Sequence, residues 1–119
     1  MEAASAEQTD WPKIVALYDE LLRLEPTDMV RANRAVAVAM VEGPAAGLAI
    51  LDGIGGNPQI QLWPQFHVAR AELLRRLDRT EPAIRAYREA LELEHSDAVR
   101  AHVQRRLKEM DAGLPGQPL

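Results

Sequence analysis

Three histidines (His67, His95 and His102), two carboxylate pairs (Asp19–Glu20 and Glu92–Glu94) and two serines (Ser5 and Ser96) are the side chains here that could catalyse or hold a metal. Their spacing argues against both. His95 and His102 are seven residues apart across a helix start, not the i,i+4 pair of a helical zinc site. A zinc centre needs three or four ligands, and the 119-residue chain has no cysteine. The carboxylate pairs lie at helical spacing from Arg23 and Arg88, which reads as a solvated, ion-paired face. Ser5 falls in a loose N-terminus and Ser96 at a helix cap, so neither reads as a nucleophile. Gly53, Gly55 and Gly56 precede Asn57-Pro58, with no Lys-Ser/Thr to make a phosphate loop. The expectation is a non-enzyme with no cofactor and no metal.

Charge points the same way. The net charge is -4, with 14 Lys/Arg against 18 Asp/Glu. The excess of acid lies in residues 1–60, and the arginine pairs Arg75-Arg76 and Arg105-Arg106 sit among glutamates. No basic stripe is present, so direct nucleic-acid binding is not expected. Nothing approaches the eighteen apolar residues in a row that a membrane span needs.

The elements that must position these residues are all helical. Apolar residues recur at helical spacing in six segments. They run about Trp11–Leu24 (Ile14, Leu17, Tyr18, Leu21 and Leu24 inward), Met29–Glu42, Pro44–Ile54, Pro64–Leu77, Glu81–Glu94 and Asp97–Met110. Asp10 or Thr9, Thr80 and Ser96 are the expected caps, and Pro26 and Gly43-Pro44 the expected stops. Gly55–Pro58 reads as a loop. Residues 1–8 and 112–119 read as flexible ends around one domain, 9–111.

Sliding the chain by 69 residues lays Tyr18 on Tyr87, Leu24-Glu25 on Leu93-Glu94 and Asp28 on Asp97. That offset is close to twice 34, the tetratricopeptide period. Ala83, Tyr87 and Ala90 resemble the small–aromatic–small pattern of its second helix, Ala71 the small residue of its first, and Gly43 its inter-helix turn. Trp11 would pack at the edge of the first unit. The expected fold is all-α, with antiparallel helix pairs stacked as a short right-handed solenoid. A six-helix bundle is the alternative.

A more specific likeness accompanies the repeat. TDWPKIVALYDELLRLEPTD at Thr9–Asp28, RANRAVAVAMVEGPAAGLAILD at Arg31–Asp52 and HVARAELLRRLDRTEPAIRAYREALEL at His67–Leu93 resemble a bacterial family. It is that of extracytoplasmic-function RNA polymerase sigma factors carrying a C-terminal tetratricopeptide-like extension. The likeness departs at Asp78, where glycine is usual, and in the last helix. It implies a cytoplasmic, regulatory protein–protein interaction domain acting in transcription initiation. Its partners would be the sigma-factor core regions or RNA polymerase, or another protein segment held in its groove.

The candidate partner-binding residues are Asn33, Arg34, Trp63, His67 and Arg70. Asn33 and Arg34 interrupt an Ala/Val/Met run and would line an inner groove, with Arg70 facing them from the next unit. Trp63, beside Pro64 at a loop–helix junction, would be an exposed anchor. Two other readings stay open. One is a small ligand-binding protein or enzyme using the His67–Arg70 region, and the other is a structural or oligomerisation module.

Overall fold

Local chemistry sets the helix boundaries. The structure, a computed structural model, describes residues 9–113. It contains α1 (Trp11–Leu24), α2 (Asp28–Glu42), α3 (Pro44–Ile54), α4 (Pro58–Gln61), α5 (Pro64–Arg76), α6 (Thr80–Leu93) and α7 (Asp97–Gly113). The fold is all-α, with no strand among the described residues. The Asp10 carboxylate accepts from the Lys13 N–H at 3.1 Å, Thr27 Oγ1 from Val30 at 3.2 Å and Ser96 Oγ from Val99 at 3.4 Å. Each satisfies an otherwise orphaned donor of a first helical turn.

Three boundaries differ from the sequence reading. Thr80 is the first residue inside α6, and the N-cap position falls to Arg79, with no side-chain bond. α7 runs on to Gly113, so residues 112–113 of the expected tail are helical. The expected loop at Gly55–Pro58 leads into a seventh helix, α4. Asn57 Oδ1 caps it on the Gln59 N–H at 2.9 Å, and Pro58 is preset for the first turn. Four residues are too few for any periodicity to announce them. The remaining terminal expectations, for residues 1–8 and 114–119, lie outside the described residues.

Two turns need a left-handed residue. Gly43, at φ 102°, joins α2 to α3. Asp78, at φ 60°, ends α5 and leaves the Arg79 N–H on the Leu74 carbonyl at 2.9 Å. This is the closure that glycine usually supplies.

α2 packs on α3 and α5 on α6, as helical hairpins, and α3 lies against α5 to join them. α1 covers α2 at one end and α7 covers α6 at the other. The core at the α2–α3 contact is built from small residues. Ala35 is fully buried and Ala32 and Ala39 nearly so. A Cβ on Gly47 of α3 would meet the Ala35 carbonyl oxygen at 2.6 Å and Ala39 Cβ at 2.8 Å, so the helices approach to backbone contact there. Ala71, Ala83, Tyr87 and Ala90 are also fully buried.

α1 corrects the expected stripe. None of its residues is fully buried. Trp11, Ile14, Val15, Tyr18 and Leu22 are half-buried, while Leu17, Leu21 and Leu24 are exposed, Leu17 by 61% and Leu24 by 77%. The apolar arc is wider than the single neighbour that covers it.

Among the described residues, no helix is long and apolar enough to cross a membrane. The molecule measures 49 × 41 × 27 Å.

Candidate functional site

A groove of about 1050 Å³ opens where the start of α2 faces α4. Met29, Val30 and Asn33 come from α2, and Gln59, Ile60, Leu62 and Trp63 from α4 and the residues after it. Its far wall is held by a chain of polar contacts. Asn57 Nδ2 donates to Asp28 Oδ2 at 2.9 Å, tying the α3–α4 connection to the first turn of α2. Gln61 Nε2 donates to the Gly55 carbonyl at 2.8 Å. The Asp28 carboxyl is held below the usual carboxylate range, first by the Asn57 bond and then by Arg31, whose Nη1 lies 2.8 Å away. An ionised Asp28 at the α2 N-terminus also suits the helix dipole.

From this groove an exposed stripe runs the length of α2. Met29, Asn33, Val36 and Met40 share one face at i, i+4, i+7 and i+11, and all four are exposed. At the far end Arg76 Nη1 of α5 donates to Met40 Sδ at 3.5 Å. The start of α2 therefore lies beside Trp63, just before α5, and its end lies beside the end of α5. The two helices run in the same direction.

The sequence-derived candidates divide on this surface. Asn33 and Trp63 both line the groove. Trp63 is half-buried against the core, not a free anchor. Arg34 points away and pairs with Asp19 of α1 at 2.6 Å. Arg70 pairs with Asp52 of α3 at 2.9 Å. His67 is 6% exposed, and its Nε2–H donates to the Gln61 carbonyl at 2.6 Å, stitching α4 to α5. The three residues thus bind three other parts of the fold and converge on no common site.

The sequence reading missed one polar centre. Glu72 of α5 accepts from Tyr87 Oη at 2.6 Å, Arg75 Nη2 at 2.8 Å, His102 Nε2 at 3.2 Å and Arg106 Nε at 3.4 Å. Burial pushes its carboxyl up. The hydrogen bonds of Arg75 and Tyr87, the Arg75 charge and the His102 bond outweigh that and hold it at about 2. Burial and then the adjoining carboxylate drive the Tyr87 phenol well above its ordinary value. With its oxygens occupied by four donors, this carboxylate ties α5 to α6 and α7. Arg75 is only three residues away, but the other three partners lie 15, 30 and 34 residues away, beyond any short motif.

Comparison with known proteins adds one relative. An uncharacterized protein of Rhizobium meliloti (strain 1021) is 36% identical over 110 residues, covering 92% of this chain and 26% of that protein. The chain spans about a quarter of the length of the relative it matches. No family model matches the chain. No solved structure matches it.

Proposed function

We infer that the chain is a non-catalytic protein–protein interaction domain built from stacked tetratricopeptide-like helix pairs in a right-handed solenoid. The observation that carries this reading is the spacing of helices that lie side by side. Met40 of α2 touches Arg76 of α5, 36 residues on, and Glu72 of α5 holds Arg106 of α7, 34 residues on. A closed bundle of six helices has no reason to repeat that interval, whereas stacked helix pairs do. The helices so aligned leave an open, partly apolar face, as a binding surface requires. His67 and Arg70, which an enzyme reading would use, are occupied by structural partners.

The specific role proposed is a regulatory C-terminal extension of a bacterial extracytoplasmic-function sigma factor, acting in the cytoplasm on the sigma-factor core or RNA polymerase. It rests on the Thr9–Asp28, Arg31–Asp52 and His67–Leu93 strings. The test is titration of the isotope-labelled domain with sigma-factor core and, separately, with polymerase. Resonance shifts confined to one face are the expected result. Titration to millimolar core and saturating polymerase with no shift overturns the role, because even contacts that act only when tethered register at those concentrations.

A further inference from the structure

Of the five arginines of α2 and α5, one has no carboxylate partner among the described residues. Arg31, Arg34, Arg70 and Arg75 each pair with a carboxylate, respectively Asp28, Asp19, Asp52 and Glu72. Arg76 has only the thioether of Met40. Its guanidinium stands at the end of an exposed stripe, Met29–Asn33–Val36–Met40, in which Met29 is 51% and Val36 41% exposed. Along α2 that stripe spans the twelve residues from Met29 to Met40, a rise of about 16 Å or three turns of helix. At its other end lies the Trp63 groove, lined by Glu25, Asp28 and Arg31; Arg31 pairs with Asp28, which leaves the Glu25 carboxylate without an ion pair among the described residues. The surface is therefore mainly apolar, broken by Asn33, with an unpaired cation at one end and an unpaired carboxylate at the other.

We propose that this face docks an amphipathic helix of a partner protein, about three turns long. Its apolar side would lie on Met29, Val36 and Met40, and a carboxylate near one end would pair with Arg76. Methionines suit the role because their flexible side chains adapt to an incoming apolar surface. The unpaired guanidinium sets the direction, since a reversed helix places its acid against Glu25. Like charges meeting there oppose the wrong orientation. The assignment rests on the interaction-domain reading above and adds the face, the secondary structure and the polarity of the ligand.

The test uses two synthetic 14-residue amphipathic peptides with the same leucine stripe, one ending in Glu-Glu and the other in Lys-Lys. Each is titrated into the domain followed by NMR. The Glu-ended peptide should bind, with shifts at Met29, Asn33, Val36, Met40 and Trp63, and at least tenfold more tightly than its Lys-ended counterpart. Arg76→Glu should invert that preference, and Val36→Asp should abolish both complexes while leaving the melting curve intact. Equal affinity for the two peptides, shifts centred on Leu17, Leu21 and Leu24 instead, or no binding at millimolar peptide overturns the proposal. Capture of the sigma-factor core by the Val36→Asp variant at unchanged affinity also overturns it, but leaves the sigma-factor role standing. Peptide binding as described without sigma-core binding does the reverse.

Discussion

The Tyr87 hydroxyl and the Glu72 carboxylate meet at 2.6 Å, in the space where α5, α6 and α7 converge. Tyr87 is fully buried, and its ring fills the gap beside the small residues Ala83 and Ala90. The only polar atom of that side chain ends on a carboxylate that also holds Arg75, His102 and Arg106. Tyr87→Phe keeps the ring and removes one of four donors. It should cost about 1–2 kcal/mol by urea unfolding at neutral pH. A loss below about 0.3 kcal/mol would show that the bond is not needed to seat α7.

Glu72 should also write itself into the acid limb of stability. Its ordinary value is 4.5 and the folded value about 2. The group is depressed on folding, so its contribution is complete above the unfolded value and disappears as pH falls through the folded one. About 2–3 kcal/mol should therefore be lost between roughly pH 5 and pH 2. Glu72→Gln should be less stable than the parent at pH 6, and the gap should close by pH 2. Parallel stability curves for the two proteins across that window would rule out Glu72 as the titrating group.

Two glycines of α3 should respond in opposite directions. A Cβ at Gly47 meets backbone and Cβ atoms of α2 at 2.6 and 2.8 Å, and Leu73 Cδ1 at 3.0 Å. Gly47→Ala should destabilise by roughly 1–3 kcal/mol, because a packed helix pair must move apart. Ala71→Leu, in the same core, should cost a comparable amount. Gly53 has nothing within 4 Å, and Gly53→Ala should stabilise by about 0.5–1 kcal/mol through helix propensity alone. Thermal melts of the three variants decide the matter, and a Gly47→Ala protein as stable as the parent would refute the contact.

These residues also mark what a sequence discloses and what it does not. Periodicity, Pro and Gly stops and the caps at Asp10 and Ser96 marked the six long helices, while the cap expected at Thr80 falls inside α6. Periodicity could not say which half of the α1 arc is covered. Ile14 and Tyr18 share that arc with Leu17 and Leu24, and only the placement of α2 separates them. Gly47 carried no signal, since a glycine within an Ala-rich segment reads as tolerated composition until a second helix is laid against it. In the candidate site, Asn33 and Trp63 were legible as a polar break and a junction aromatic. Arg34 and Arg70 look identical to them in sequence. Their diversion to Asp19 and Asp52 depends on partners 15 and 18 residues away.

Asp78 should prefer to be glycine. It holds φ 60°, where a side chain costs conformational energy, and it closes α5 without help from a Cβ. Asp78→Gly should raise stability by up to about 1 kcal/mol, and Gly43→Ala, at φ 102°, should lower it by about 1 kcal/mol or more. Denaturant midpoints at constant slope are the measure. A destabilised Asp78→Gly protein would mean that the aspartate makes a compensating contact.

The helix that should open first is α1. It has no fully buried residue, touches α2 on one side, and is pinned across that contact by the Asp19–Arg34 pair. The Arg34 side chain is 27% exposed and that of Asp19 56%, so the pair is screened and contributes at most about 1 kcal/mol. Arg34→Ala should therefore shift the global unfolding midpoint little. Its effect should appear instead as faster amide exchange across Ile14–Leu22, with α5 and α6 unchanged, because local opening draws on the least buried element. Binding to the α2 stripe should survive the substitution, since Arg34 faces α1 and not the Met29–Met40 side. Uniform acceleration of exchange in every helix would make α1 an integral part of the cooperative unit. Loss of stripe binding in a normally folded Arg34→Ala protein would return that residue to the docking face.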